Sequence, residues 1–539
     1  MLTPSGFLKP RSTPAIEGSH SKQTRYKYYA VVSIFLIGVF LRFFLLTNQS
    51  LWMDEGFSLH NSDGASWLEM FARVRSLPTA DKFQPLYYWL LFGVRQLFGD
   101  SETVLRGLSA VLGSLTLALV YAVALRFYGQ RHAFYALCLA TFSALLIFLS
   151  QEVRNYALIL FLSALQLYFI SGEITSKTPV RPSSKWIFST VTGLALFCSV
   201  QTAVFSASLS LSHLLCKKDW KAWLAWWVPV GLFAIPAVLY YLALPGQTDP
   251  GTVAISRSGF PILFNMVFVI YGLLVGSTYG PSQESLRLGN RFSIILESAL
   301  ELVLLLGVGL VIAYFLQYAI LARQRKSQFQ EANFFFFYLL LFSFILGTVL
   351  ALATGMNWVP RHSSFMGLSG CLLLPAAFCW PRTSGIRTHR FHWVARLSVI
   401  ALIVLNIYSS FNYYFKPAYA RADYRGVAEY IADRSSPSTQ SILMIGDLRL
   451  MDYYGSAATL QPASVLQKVR AGDPLWLNAL NQVTDGYEDI FVIVNRLSRV
   501  NALIKGDLRK ELSNSYQVVD EVDRYLDFNI FHLESQVVP

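Results

Sequence analysis

Long apolar runs separated by short polar stretches dominate the first 415 residues, and a mixed pattern of shorter period follows them. A helix needs roughly 20 predominantly apolar residues to cross a bilayer core. Runs of that order recur near 28–46, 103–125, 132–150, 155–172, 186–200, 202–216, 222–243, 293–321, 334–352, 363–379 and 394–413, which predicts about eleven spans. The uncharged run from Trp186 to Cys216 would measure about 46 Å as one helix, against ~30 Å of hydrocarbon, so two short helices turning near Gln201 are expected. The stretch "PLYYWLLFGVRQLF", Pro85 to Phe98, is too short to span and is rich in interfacial Tyr and Trp; it is expected to lie along the surface.

After residue 415 the pattern changes. "DYRGVAEYIADRSSP" has helical spacing closed by Ser-Pro. "SILMIGD", a second helical stretch, "DIFVIVNR", a charged helix near 501–512, "YQVVDEV" and "LDFNIFHL" then alternate strand and helix signals, as in a small α/β domain with a partly parallel sheet. The expected organisation is an inner tail (1–27), a membrane domain (28–415) with longer outer loops at 47–102 and 244–292, and a C-terminal outer α/β domain (416–539). The fold class is thus a polytopic α-helical membrane protein carrying a small soluble domain.

Composition strengthens this picture. The chain is 54% hydrophobic, 15% aromatic and only 14% charged, too apolar for an ordinary soluble protein. Its net charge of +12 is mostly an orientation signal, because Lys and Arg concentrate in cytoplasmic loops. Lys22, Arg25 and Lys27, then Arg126 and Arg131, Lys177 and Arg181, Lys217 and Lys218, Arg323 and Arg325, and Arg387 and Arg390 fall on one side for an inner amino terminus and an outer carboxyl terminus. That places the C-terminal domain on the extracytoplasmic side of a plasma membrane and leaves no case for nucleic acid. The first 27 residues show no cleavable signal, so the first span is expected to be an uncleaved anchor. All five cysteines lie in or beside apolar runs and imply neither a disulfide framework nor a zinc site.

Polar chemistry gathers on the outer side. The groups there are Asp54 and Glu55; Asp81, Lys82 and Gln84; Arg106; Glu152, Arg154 and Tyr156; Tyr279, Arg287 and Arg291; and Arg361 with His362. Taken singly, an Asp-Glu pair is ordinarily a solvated turn or helix cap, and an arginine at a span boundary ordinarily snorkels to headgroups. Tyr87 and its aromatic neighbours are by default interfacial-belt residues. The combination is less ordinary. Arginine forks suit phosphate oxygens, and a carboxylate can take the proton of an attacking hydroxyl. Carboxylate and arginine at a lipid surface therefore suit group transfer from a phosphate leaving group.

The blocks "SLWMDEGFSL", "FQPLYYWLLFGVRQLFG", "ETVLRGLSAVLGSLT", "SQEVRNYAL" and "PRHSSFMG" resemble, in order, those of the GT-C glycosyltransferases of the protein O-mannosyltransferase and aminoarabinose-transferase group. The likeness runs through most of 28–415. It implies a GT-C fold and an inverting transferase that takes its sugar from a polyprenyl monophosphate on the extracytoplasmic side. On that resemblance Asp54 takes the place of the catalytic acid, with Glu55 beside it. Arg106, Arg154 and Arg361 take the places of family arginines and are expected on the donor phosphate. Lys82, Gln84, Tyr87, Glu152, Tyr156 and His362 are possible substrate contacts. Where many members read His-Pro-Pro this chain has Phe83-Gln84-Pro85, which removes a potential ligand and leaves a divalent metal ion open. The acceptor, whether lipid, glycan or protein, needs only a hydroxyl. The competing expectation is a lipid or glycolipid flippase, which would place ionisable residues mid-span.

Overall fold

The computed structural model describes residues 17–175, 181–244, 262–282, 291–321, 328–354, 358–379, 386–434, 439–445, 448–455, 460–462, 489–495, 508–513, 516–522 and 528–535. The chain begins with α1 (Glu17–Phe43), α2 (Met53–Asn61), α3 (Trp67–Ser76) and α4 (Pro85–Phe98). There follow α5 (Glu102–Tyr128), α6 (Gln130–Phe142), α7 (Ala144–Ser150), α8 (Tyr156–Thr175), α9 (Pro182–Cys198), α10 (Val200–Lys217) and α11 (Trp220–Leu242). The membrane part closes with α12 (Ile262–Val275), α13 (Arg291–Glu297), α14 (Ala299–Leu321), α15 (Gln328–Thr354), α16 (Ser364–Leu373), α17 (Ala376–Cys379) and α18 (Ile386–Phe415).

Length and composition single out α5, α8, α11, Phe329–Thr354 and Trp393–Phe415 as able to cross a membrane, five helices among the described residues. The expected span 132–150 is instead two helices, α6 and α7, bent by 61° at Ser143; together they count as a sixth candidate. The bend is held by the Asn406 side chain, which accepts the Ala144 N–H at 2.9 Å. The run 186–216 does divide into two helices. The turn falls at Ser199, whose extended backbone starts α10 and whose hydroxyl accepts the Gln201 N–H.

One apolar helix, α12, lies inside 244–292, which the hydrophobic pattern leaves as a loop. Its 14 residues span about 21 Å, short of a bilayer core, and that shortness hides it from a span count. Gly272 lets α12 lie against Pro360, because a Cβ there would overlap the proline ring.

After α18 come α19 (Tyr424–Ala432), β1 (Thr439–Ile445), α20 (Leu448–Tyr453), β2 (Leu460–Pro462), β3 (Asp489–Asn495), α21 (Leu508–Ser513), β4 (Tyr516–Val522) and β5 (Phe528–Ser535). The five strands form one sheet in the order β2-β1-β3-β5-β4. β1 is parallel to β2 and β3, with Ile442 opposite Val492, and β5 is antiparallel to β3 and β4. The central β3 has no polar alternation in "IFVIV" because Ile490 to Val494 are all buried, as expected of a strand covered on both faces. α19 covers one of them: Tyr424 packs edge-on to Phe528 and Tyr430 edge-on to Phe491. Of the charged helix expected near 501–512, residues 501–507 lie outside the described residues.

A candidate active site of paired carboxylates and arginines

The polar groups named from sequence meet at one end of the helix bundle. α5 begins there with Glu102 and Arg106 and carries in its last turn Arg126, whose guanidinium stacks on Tyr168 near the far end of α8. α8 starts on the polar side at Tyr156, directly after the loop carrying Glu152 and Arg154. The short helix α2 lies across this end.

Successive residues of a helix are turned by about 100°, so Asp54 and Glu55 in the first turn of α2 face different surroundings. Glu55 points inward and is fully buried. Its Oε1 accepts from Arg106 Nε at 2.9 Å and from the Val153 N–H at 3.0 Å. Oε2 accepts from Arg106 Nη2 at 2.7 Å and reaches back to the Trp52 N–H at 3.3 Å, as an N3 glutamate does at a helix start. Arg106 spends its remaining donors on the carbonyls of Leu46 and Gln49 (Nη1, 2.9 and 2.7 Å) and Ser50 (Nη2, 3.0 Å). A guanidinium has five N–H donors, and here each has an acceptor. Burial would raise the Glu55 carboxyl, but Arg106 and Arg421 outweigh it and hold the group below the ordinary carboxylate range.

Asp54 points the other way, with its side chain 23% exposed. Its Oδ2 accepts from Arg361 Nη1 at 2.8 Å. Partial burial acts to raise its pKa, yet Arg361 and Arg154 bring it below the usual value, so the group is ionised at neutral pH. Arg361 is 33% exposed and makes that single hydrogen bond among the described residues, with its Nε unpaired. Its guanidinium sits 5.9 Å from the Trp52 ring and 6.0 Å from the Tyr156 ring. It is carried on a one-turn segment, Pro360–Ser363, which α12 backs at Gly272.

Arg154 is buried and points back into the protein. Its Nη2 pairs with Asp81 Oδ1 at 3.1 Å, and its Nη1 donates to the Asp54 carbonyl and the Ser58 hydroxyl at 3.3 and 3.4 Å. Asp81 also accepts from Asn61 and Gln84, so Gln84 serves that carboxylate. Lys82 is buried with its ammonium 5.7 Å from the Phe83 ring, and Tyr87 is buried edge-on to Tyr88. Tyr156 and His362 flank Arg361 with rings 6.2 Å apart, and His362 also meets Trp358. Tyr279 turns away, its hydroxyl on the Glu301 carbonyl, while Arg287 and the side chain of Arg291 lie outside what is described.

Glu152 is the unusual carboxylate. It is fully buried and neither oxygen accepts a hydrogen bond among the described residues. Burial pushes it up to about 7, even though Arg421 and Arg361 draw it down. Its nearest cation is Arg421, at 3.8 Å. Arg421 comes from the turn after α18 and was not among the residues singled out from sequence; an isolated arginine just beyond the last span offers no pattern to find it by.

No three His, Cys, Asp or Glu side chains converge as metal ligands among the described residues, and the central carboxylates each face guanidinium groups instead.

Comparison with known proteins agrees with this architecture. Residues 81–244 match the family described as dolichyl-phosphate-mannose-protein mannosyltransferase. That segment contains Lys82, Arg106, Glu152 and Arg154 but not Asp54 or Arg361. The structure is similar to ArnT from Cupriavidus metallidurans bound to undecaprenyl phosphate, with 12% identity over 95% of this chain and 98% of that one and a TM-score of 0.52. For the same protein in the apo state the TM-score is 0.54, again with 12% identity and 95% and 98% coverage. The oligosaccharyltransferase of Archaeoglobus fulgidus, tethered with an acceptor peptide, aligns over 92% of this chain and 72% of its own at 13% identity and a TM-score of 0.47. A search of curated proteins finds no match. The GT-C, mannosyltransferase-like resemblance drawn from the sequence is thus supported by a matched family segment and a shared membrane fold.

Proposed function

We propose that this protein is an integral-membrane glycosyltransferase that moves a sugar from a polyprenyl monophosphate to a hydroxyl of a lipid, glycan or protein acceptor at the outer membrane surface. The observation that carries the reading is the Asp54–Arg361 pair, an ionised carboxylate and an under-used arginine 2.8 Å apart and both partly open to solvent. The matched mannosyltransferase segment and the fold shared with a protein crystallised with undecaprenyl phosphate support a lipid-phosphate donor.

In the reaction the acceptor oxygen attacks the anomeric carbon, and the bond from that carbon to the phosphate oxygen breaks. The electron pair leaves with polyprenyl phosphate, and the acceptor proton passes to Asp54, which acts as general base. Arg361 has donors to spare for the phosphate oxygens as their charge grows. Attack opposite the leaving group inverts the anomeric centre. Arg154 anchors the Asp54 backbone and Ser58, so its first task is to hold α2, and a phosphate contact is secondary. Arg106 has every donor engaged and is a positioning residue for Glu55. Glu55, saturated in turn, is structural. No step requires a metal.

The flippase expectation of ionisable groups mid-span finds little support among the described residues. Arg42 is buried in α1, but in its last turn, with its Nη atoms on the carbonyls of Gly38 and Ala140.

The test is transfer of labelled sugar by purified protein supplied with either a polyprenyl-monophosphate hexose or a nucleotide hexose, with detergent-extracted membranes as the acceptor source. Transfer from the lipid donor alone is expected. Transfer from the nucleotide sugar in the absence of polyprenyl phosphate would refute the proposal.

A further inference from the structure

The segment leading to Asp54 is held along its length by the start of the C-terminal α/β unit. Ser50 Oγ donates to the Ala422 carbonyl at 2.8 Å and accepts the Tyr424 N–H at 3.0 Å. The Arg421 N–H donates to Gln49 Oε1 at 3.1 Å. Tyr454 Oη accepts the Leu51 N–H at 2.7 Å and donates to Glu102 at 2.5 Å. Arg425 Nη2 bridges the Thr47 carbonyl and Glu102, at 3.0 and 2.5 Å. Residues 47–51 are thereby fixed just ahead of Asp54.

The side chain of Arg421 goes deeper. It is 7% exposed, with Nη1 3.2 Å from Glu55 Oε2 and 3.3 Å from the Gln151 carbonyl, and Nη2 3.8 Å from Glu152 Oε1. Its guanidinium is 5.8 Å from the Trp52 ring and 5.1 Å from Phe148. A buried charge is tolerated when it is paired. Arg106 carries one positive charge and uses it on Glu55, so the second buried carboxylate, Glu152, needs another cation. Arg421 is placed to supply it.

We propose that Arg421 is a positioning residue of the transfer site: it neutralises the buried Glu55–Glu152 pair and so makes the C-terminal unit part of the framework that holds the Asp54 loop. The inference rests on Asp54 being the base. It assigns the C-terminal unit a role in positioning the transfer site.

The experiment compares full-length Arg421→Gln, Arg421→Lys, Glu152→Gln and the double variant Arg421→Gln/Glu152→Gln, purified in detergent. Two readouts are taken: the thermal unfolding midpoint, and the rate and KM for transfer from a polyprenyl-monophosphate hexose. Arg421→Gln should lower the midpoint by several degrees and kcat by about tenfold to a hundredfold, as a small misplacement of reacting groups does, with KM for the donor little changed. Arg421→Lys should fall between it and wild type. Measured at pH 8.5, above the pKa of about 7 that burial gives Glu152, adding Glu152→Gln should recover much of both losses, because the uncompensated charge is gone; a role in simple packing would not be rescued that way. Wild-type behaviour of Arg421→Gln, or strictly additive losses in the double variant, would overturn the inference. If Asp54→Asn in the same assay is fully active, the proposed base fails, while the midpoints still judge Arg421 independently.

Discussion

Asp54 and Glu55 are neighbours of the same charge type on one helical turn, and their surroundings could hardly differ more. Glu55 is buried, and two arginines and two backbone N–H groups occupy its oxygens. Asp54 keeps one protein partner on its carboxylate and a quarter or so of its side chain open, 23%. The arginines divide in parallel, since Arg106 has no donor left and Arg361 has made a single bond. A group whose bonding capacity is filled by the fold is there to hold shape. A charged group left under-used at a surface, beside a neighbour whose bonds the fold has filled, is available for a ligand.

Substitutions should separate the two pairs. Asp54→Asn is expected to fold and to lose about 10²–10⁴-fold in transfer rate, the range for a general base, read by kcat at equal folded protein. Arg361→Ala should cost about 10²–10³-fold, as removal of a charge-stabilising donor does, with a melting midpoint near wild type. Glu55→Gln should act chiefly on the fold. Removing one partner of a buried ion pair costs about 3–5 kcal/mol, seen as a lower midpoint and a smaller monodisperse fraction.

Glu152 gives a pH test of the buried side. Its folded pKa, about 7, lies above the ordinary glutamate value of 4.5 because the carboxyl is buried. The stability it lends is therefore complete below about 4.5 and is lost as pH rises through about 7, by about 3 kcal/mol. Arg421, Arg361, Glu55 and Asp54 all act on it. The midpoint of wild type relative to Glu152→Gln should fall between pH 5 and pH 8; a constant difference would show that Glu152 does not titrate there. The smallest expected effect is that of Gly272→Ala, which forces α12 off Pro360. Overpacking of this kind costs about 1–3 kcal/mol, and activity should drop through displacement of Arg361.

Much of this was legible from residue order alone. Alternation of apolar runs and turns located α5, α8, α11 and the strands β1, β3, β4 and β5 but not the three-residue β2, and Asp423 and Ser101 cap their helices through their own side chains. The pattern failed where length misleads: α12 is too short to register as a span, and a local bend divides 132–150 at Ser143. That Asp54, Glu55, Asp81, Arg106, Arg154 and Arg361 come near one another is in keeping with charges at one end of several helices sharing a face, although Tyr279, named with them, turns away. How they divide was not legible. Whether an arginine is spent or free depends on backbone carbonyls such as those of Leu46 and Gln49, which carry no sequence signature. Arg421 escaped for the same reason, since its partners Glu55 and Glu152 lie far away in the chain.

The most direct measurement of this division is a paired one, on Asp54→Asn and Glu55→Gln purified alongside wild type, with the melting midpoint and the single-turnover transfer rate from a polyprenyl-monophosphate hexose taken on the same samples. The account predicts that Asp54→Asn keeps the wild-type midpoint and loses transfer by about 10²-fold or more, whereas Glu55→Gln loses the midpoint and its surviving folded fraction still transfers sugar. A stable but inactive Glu55→Gln beside a stable and active Asp54→Asn would contradict it.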